Sequence, residues 1–377
     1  MTSRLRPFVF LIAIAVCAIV AYDVRIRHEM VDFLTWRRAV VRGLDAEPLY
    51  RPDDGHYQFK FLPMFALLMA PFGRLDPETG KAVWFGIEVV LLVSLVRWSV
   101  NALPERRLSE RTLVWFALIL MAKFYAHELL LGQINLLLAV LILSGLVAVR
   151  SARPITAGSL IGLAVFVKPY ALILFPWLFV TQRWPAAATA AGVVAIGLLL
   201  PSVVYGWSGN LDLLVDWWRT VGDSTAPNLL NNDNVSMASM WAKWVGPGAL
   251  ATGCAALTIV GALALAIAAW RRRAAVAAPE YLEIALLMLL IPLLSPQGWD
   301  YVLLLATPAV VCLVDRWREF TRFWQWGLGV ALALMSLTMF DIMGRALYGR
   351  FMALSVISVC ALALAAGLVR ARWDRLA

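Results

Sequence analysis

Charge is scarce in this sequence: 15% of its 377 residues are Asp, Glu, Lys or Arg, where soluble globular chains carry about 25%. Histidine is scarcer still, with three in all, and these give no metal cluster. The four cysteines, Cys17, Cys254, Cys312 and Cys360, all fall within apolar runs. No pair of them has metal-ligand spacing, and in such runs cysteine behaves as a small hydrophobe. Internal repeats and low-complexity tracts are also missing. These shortages exclude a zinc-finger array and a disulfide-stapled secreted fold.

Apolar surface is what the chain has in excess. Hydrophobic residues make up 62% of it, with 17 Trp, more than a globule of this size can hide from water. About twelve segments of roughly twenty residues would place around 240 residues in a bilayer. No room is left for a separate soluble catalytic domain such as a Rossmann unit. The expected fold is an all-α polytopic membrane protein, a single membrane-embedded domain over 1–377. The formal charge of +9 could suggest nucleic acid, but the basic residues mark membrane orientation instead, and no nucleic-acid partner is expected.

Apolar runs lie at 7–22, 80–99, 111–127, 133–149, 155–167, 170–181, 186–205, 247–270, 281–295, 299–314, 323–342 and 347–369. Arg4 and Arg6 precede the first. Arg106, Arg107 and Arg111 follow the second, Arg150 and Arg153 the fourth, and Arg183 the sixth. Arg271, Arg272 and Arg273 follow the eighth, Arg316, Arg318 and Arg322 the tenth, and Arg370, Arg372 and Arg375 the last. Every even-numbered exit is thus Arg-rich, which the positive-inside bias predicts when both termini are cytoplasmic. The first run reads as an uncleaved signal-anchor, since Tyr22-Asp23-Val24 is a poor cleavage site.

One apolar stretch, 61–72, breaks the alternation. It is short, with Pro63 and Pro71 near its ends, and suits a re-entrant or interfacial segment. Residues 23–79 then form a first outer loop that dips back into the interface, and 206–246 form a second large outer loop. Runs five and six are also short and meet at Lys168-Pro169, as in a hairpin that stops below the outer surface. Gly158 and Gly162, four apart on run five, prepare one of its faces for close helix contact.

Sorted by side, the polar variety falls on the outer face, where ionisable residues at membrane depth are functional candidates. Asp32 stands at the start of a helix with an apolar stripe, Phe33, Trp36, Val40 and Val41. An N-cap carboxylate is one reading of it; a general base facing a water-poor pocket is the other. Lys60 can snorkel to the interface, whereas Lys168, held in the short hairpin, asks for an anion such as a lipid phosphate. Gln133 and Asn135 can satisfy a helix end, Asn234 falls in a turn-forming cluster, and Asn234-Val235-Ser236 is a formal glycosylation acceptor.

Four stretches then combine: Asp32-Phe33 with Gly43 and Leu49-Tyr50; FKFLPMFALLMAP at 59–71; GQINLLLAVLIL at 132–143 with AGSLIGLAVFVKPYALILFP at 157–176; and Asn234-Val235-Ser236 with SPQGWDY at 295–301. This succession resembles glycosyltransferase family 87, the polyprenyl-phosphate-mannose-dependent mannosyltransferases of the C superfamily of membrane glycosyltransferases. The resemblance implies transfer of a hexose, mannose in that family, from a polyprenyl-phosphate donor to a lipid or glycan hydroxyl. It implies inversion, on the extracytoplasmic face of the plasma membrane. Asp32 occupies the place of the superfamily's catalytic base. Lys60 and Lys168 are the candidates for the donor phosphate, and Tyr57, Gln133, Asn135, Asn234, Ser236 and Trp299 for the sugar or headgroup. Phe61 and Leu62 depart from the family's usual Tyr and Ser or Pro. The superfamily's metal-dependent branch carries a carboxylate motif in the next outer loop, where this chain offers Glu128 alone, so no metal and no cofactor are expected.

Two other classes compete. A secondary transporter or lipid-linked sugar flippase would show internal repeats with matching broken helices, and 155–181 has no counterpart in the second half. A polysaccharide polymerase or ligase would carry a large outer loop late in the chain.

Overall fold

The computed structural model describes residues 16–276 and 278–373. Most of the first apolar run, with Arg4 and Arg6, and the terminal Arg375 lie outside the described residues. Among the described residues the regular elements are helical, and the only pairing of extended backbone is an isolated antiparallel bridge between Asn234 and Trp299. Helix α1 is Val31–Leu44, α2 Pro63–Leu68, α3 Pro77–Asn101, α4 Glu110–Leu131, α5 Asn135–Arg150 and α6 Pro154–Val167. Next come α7 (Leu174–Val180), α8 (Trp184–Leu199), α9 (Ser202–Asn228), α10 (Met237–Val245) and α11 (Ala249–Arg271). The chain closes with α12 (Glu280–Leu294), α13 (Thr307–Asp315), α14 (Arg322–Leu337), α15 (Phe340–Ala353) and α16 (Val356–Trp373).

Among these, α3, α4 and α11 are long and apolar enough to cross a membrane. The pairs α8–α9 and α14–α15, bent by 89° and 106°, bring the total to five if each is one span. Helices α5 and α6, of 16 and 14 residues, rise about 24 and 21 Å, short of the ~30 Å hydrocarbon core. The run expected at 299–314 is a 3₁₀ segment, Asp300–Ala306, leading into α13, and every residue from 300 to 315 is buried. Its hydrophobicity fills the protein interior. The run expected at 347–369 is divided, because α15 ends at Ala353 and Ser355 turns the chain with φ +54° before α16.

The stretch 206–246, expected as a loop, is mostly helical. Gly206 breaks α9 with φ +71°. Beyond it Trp207, Leu211, Val215 and Trp218 recur at helical spacing and are exposed, the pattern of an amphipathic interfacial helix. The 61–72 stretch forms α2 and a short helical turn, Ala70–Gly73, with Pro63 and Pro71 in their first turns, where proline's missing N–H costs nothing.

Helix α1 is anchored by its aromatic stripe. The Trp36 ring lies 4.6 Å from Phe33, 5.9 Å from Phe65, 5.6 Å from Phe72 and 5.4 Å from Trp84, mostly edge-on, the geometry that aromatic quadrupoles favour. Its indole donates to the Gly132 carbonyl at 3.3 Å, tying α1 to the end of α4. Gly132 itself caps α4 in the left-handed region, φ +66°, and a Cβ there would fall 2.7 Å from that of Phe33. On the far side of α1, Arg42 holds Asp54 with two hydrogen bonds of 2.6 and 2.7 Å. Gly158 and Gly162 lie against α8: a Cβ on Gly158 would meet the Ala186 carbonyl at 2.3 Å, and one on Gly162 the Ala190 carbonyl at 2.9 Å.

Candidate active site

The cavity is built where α1, the segment after it, the α4–α5 turn, the α6 tip and α9 converge. It holds about 440 Å³. Asp32, Lys60, Lys168, Gln133, Tyr57 and Trp299 all line it.

Asp32 is the second residue of α1, where the helix dipole favours negative charge. The N-cap position belongs to Met30, with no side-chain cap, so the N-cap reading of Asp32 does not hold. Its carboxylate turns instead to Gln133, whose amide donates at 2.7 Å. The same amide nitrogen donates to the Tyr301 hydroxyl at 3.2 Å. Burial pushes the Asp32 carboxyl above its ordinary range, against the pull of the Gln133 hydrogen bond and of Lys168, His127 and Lys60.

Lys60 precedes α2 in extended chain. It donates to the Gln297 side-chain oxygen at 3.1 Å, and its carbonyl accepts from the Trp217 indole at 3.1 Å. Gln297 donates in turn to Ser224 and Thr225 of α9, each at 3.0 Å. Burial, then repulsion from Lys168, lowers the Lys60 ammonium to about 8, with Asp32 opposing. Lys168 breaks α6: its φ of −148° and ψ of 126° are extended, and Pro169 opens the 3₁₀ turn that follows. The break between two short helices is what brings its side chain to the cavity wall.

Three expected sugar contacts lie elsewhere. Asn135 is fully buried at the start of α5, donating to Glu128 from its backbone at 2.5 Å and its side chain at 2.7 Å. Asn234 is buried and ties the Asn228 and Pro296 carbonyls, each at 3.0 Å. Ser236 caps α10 through the Ser239 N–H at 3.0 Å. None of the three lines the cavity: the Asn234 and Ser236 side chains are spent on backbone groups and that of Asn135 on the Glu128 carboxylate.

Other wall residues carried no assigned role in the sequence: His127, Tyr170, Trp217, Trp218, Asp233, Gln297 and Tyr301. Behind the wall, fully buried Asp300 lies 3.0 Å from the Lys123 ammonium and 3.0 Å from His127 Nδ1. The signal for it was present, a Lys and a His four apart on an otherwise apolar span, but nothing local names Asp300 as their partner. Among the described residues no group of three or more His, Cys, Asp or Glu side chains comes together to hold a metal.

A carboxylate, two amines and a row of aromatic rings around one cavity suit a sugar and an anion together. The profile of glycosyltransferase family 87 matches residues 59–296. The chain belongs to this family. The family 87 match takes in Lys60, Gln133 and Lys168, whereas Asp32 lies N-terminal to it. The chain is also 29% identical over 182 residues to an alpha-(1->3)-arabinofuranosyltransferase of Corynebacterium glutamicum, covering 46% of this chain and 40% of that protein. It therefore spans less than half the length of this curated relative. No solved structure matches the chain.

Proposed function

We propose that this family 87 member transfers a glycosyl residue from a polyprenyl-phosphate donor to a hydroxyl of a lipid or glycan acceptor. The acceptor oxygen attacks the anomeric carbon with inversion while Asp32 takes its proton. The bond between that carbon and the phosphate oxygen breaks, its electron pair leaving with the phosphate. The leaving group gains a negative charge in this step, and Lys60 and Lys168 stand to stabilise it, since cations placed where charge develops favour the transition state over the ground state. Trp299, Trp217 and Tyr57 offer faces for a sugar ring. The observation that carries the reading is the convergence of Asp32, Lys60 and Lys168 on one cavity.

In this reading the cavity opens on the extracytoplasmic face of the plasma membrane, with both termini cytoplasmic. The Arg-rich exits support that orientation. A hexose, mannose, is the sugar the motifs favour. A pentofuranose is the second reading, favoured by the activity of the corynebacterial relative.

The test is a donor panel on membranes containing the protein, with products weighed by mass spectrometry. Polyprenyl-phosphate mannose should support transfer, and Asp32→Asn should abolish it while the protein remains folded. Transfer from polyprenyl-phosphate arabinofuranose alone selects the second reading. Transfer from a soluble nucleotide sugar, or full activity in Asp32→Asn, overturns both.

A further inference from the structure

We propose that His127 is a substrate-contacting residue whose Nε2 hydrogen-bonds a hydroxyl of the sugar in the cavity, and that Asp300 and Lys123 act through it as positioning residues. The inference rests on the transfer reading and adds a contact to it.

Asp300 and Lys123 form a costly buried pair. Asp300 has a side-chain exposure of 0% and Lys123 of 7%, and burying an ion pair costs more in lost hydration than packed apolar residues would. Lys123 alone would neutralise Asp300. Yet the carboxylate's other oxygen faces His127 Nδ1 at 3.0 Å, and His127 is the member of the three that reaches the cavity, 30% exposed. A carboxylate on one ring nitrogen fixes the tautomer and the ring plane. With Nδ1 committed to Asp300, Nε2 is the nitrogen turned to the ligand.

The surroundings hold that ring in place and balance its charge. Tyr301 packs edge-on against it with centroids 5.2 Å apart. Lys123 sits 5.5 Å from the Phe124 and Tyr348 ring centroids, and the Tyr348 hydroxyl donates to Asp233 at 2.7 Å. The charged groups facing His127 are Asp300 from the 3₁₀ segment, Asp233 from the turn before α10, Lys123 from its own helix and Asp32 from α1. With Nδ1 facing the Asp300 carboxylate at 3.0 Å, Nε2 meets the cavity as a hydrogen-bonding atom, and a sugar hydroxyl, donor and acceptor at once, is a group that pairs with it. Trp299 and Asp233 line the same cavity, adding a stacking face and an acceptor of the kind a polyol uses.

The sequence holds three histidines, so replacing His28 and His56 leaves one imidazole to observe. In the purified protein with ¹⁵N-labelled histidine, polyprenyl-phosphate mannose or its arabinofuranosyl counterpart should shift the Nε2 resonance, and sugar-free polyprenyl phosphate should not. An equal shift from the sugar-free lipid makes the contact an anion contact and overturns the proposal. So does an unmoved resonance when tryptophan fluorescence shows the glycolipid bound. A protein that binds neither glycolipid fails the donor reading itself, and the proposal falls with it. In kinetics, His127→Leu should raise the donor KM about fivefold with kcat little changed, the scale of one net hydrogen bond. His127→Gln, which keeps an acceptor, should recover most of it. The paired change Lys123→Met with Asp300→Asn should alter KM like His127→Leu and move the ¹⁵N resonance before any ligand is added. A wild-type KM in folded His127→Leu overturns the proposal.

Discussion

One amide nitrogen, that of Gln133, lies 2.7 Å from the Asp32 carboxylate and 3.2 Å from the Tyr301 hydroxyl. Asp32 belongs to α1 and Tyr301 to a buried 3₁₀ turn near the other end of the chain. The amide therefore fixes which way the carboxylate faces.

Gln133→Leu removes a hydrogen bond to a charged group and should lower kcat/KM about thirtyfold, roughly 2 kcal/mol. Gln133→Glu should do more than remove it. A second carboxylate beside Asp32 raises the proton affinity of the pair, so the acid limb of the rate profile should move to higher pH. An unmoved acid limb in Gln133→Glu would show that Asp32 is not the group being titrated.

The rate should be bell-shaped in pH. In the proposed reaction Asp32 works ionised, and its raised pKa means that activity is lost on acidification above the ordinary carboxylate value of about 4. Lys60 works protonated, and with its pKa near 8 activity should fall as pH rises through that value. Lys60→Arg keeps the charge to far higher pH and should move the alkaline limb to higher pH while leaving the acid limb in place. Initial rates across pH for the two proteins check both signs.

The α6–α8 contact should tolerate no added volume at its glycines. Gly162→Leu must displace the Ala190 carbonyl and the Val193 side chain, each under 3.0 Å from the new Cβ. Overpacking of this kind costs about 1–3 kcal/mol. Because Lys168 follows the same helix, activity should fall with the melting temperature. The change Gly192→Ala, where a Cβ meets nothing within 4 Å, should lower neither, since alanine favours the helix over glycine.

Much of this was readable from local pattern. The apolar stripe of α1, the close-packing face at Gly158 and Gly162, and the Lys168-Pro169 break are all features of neighbours in sequence. Spacing and proline chemistry report such features directly. What escaped reading was set by partners far along the chain. Asn135, Asn234 and Ser236 looked like ligands because they are polar and sit near motif residues, yet Asn234 and Ser236 satisfy backbone groups and Asn135 pairs with Glu128, partners that only the folded chain reveals. His127 and Asp300 were visible as residues and invisible as a pair, separated as they are by more than one hundred and fifty positions. Run hydrophobicity misled at 299–314 for a related reason: a segment buried among helices and one immersed in lipid carry the same composition.

The bond between Lys60 and Gln297 joins side chains 237 positions apart, and Gln297 in turn grips Ser224 and Thr225. A nascent chain exposes its early amine long before the residue that will hold it has been synthesised. The cavity wall therefore closes late in biogenesis, and a polypeptide interrupted ahead of that glutamine lacks the side chain that ties Lys60 to Ser224 and Thr225.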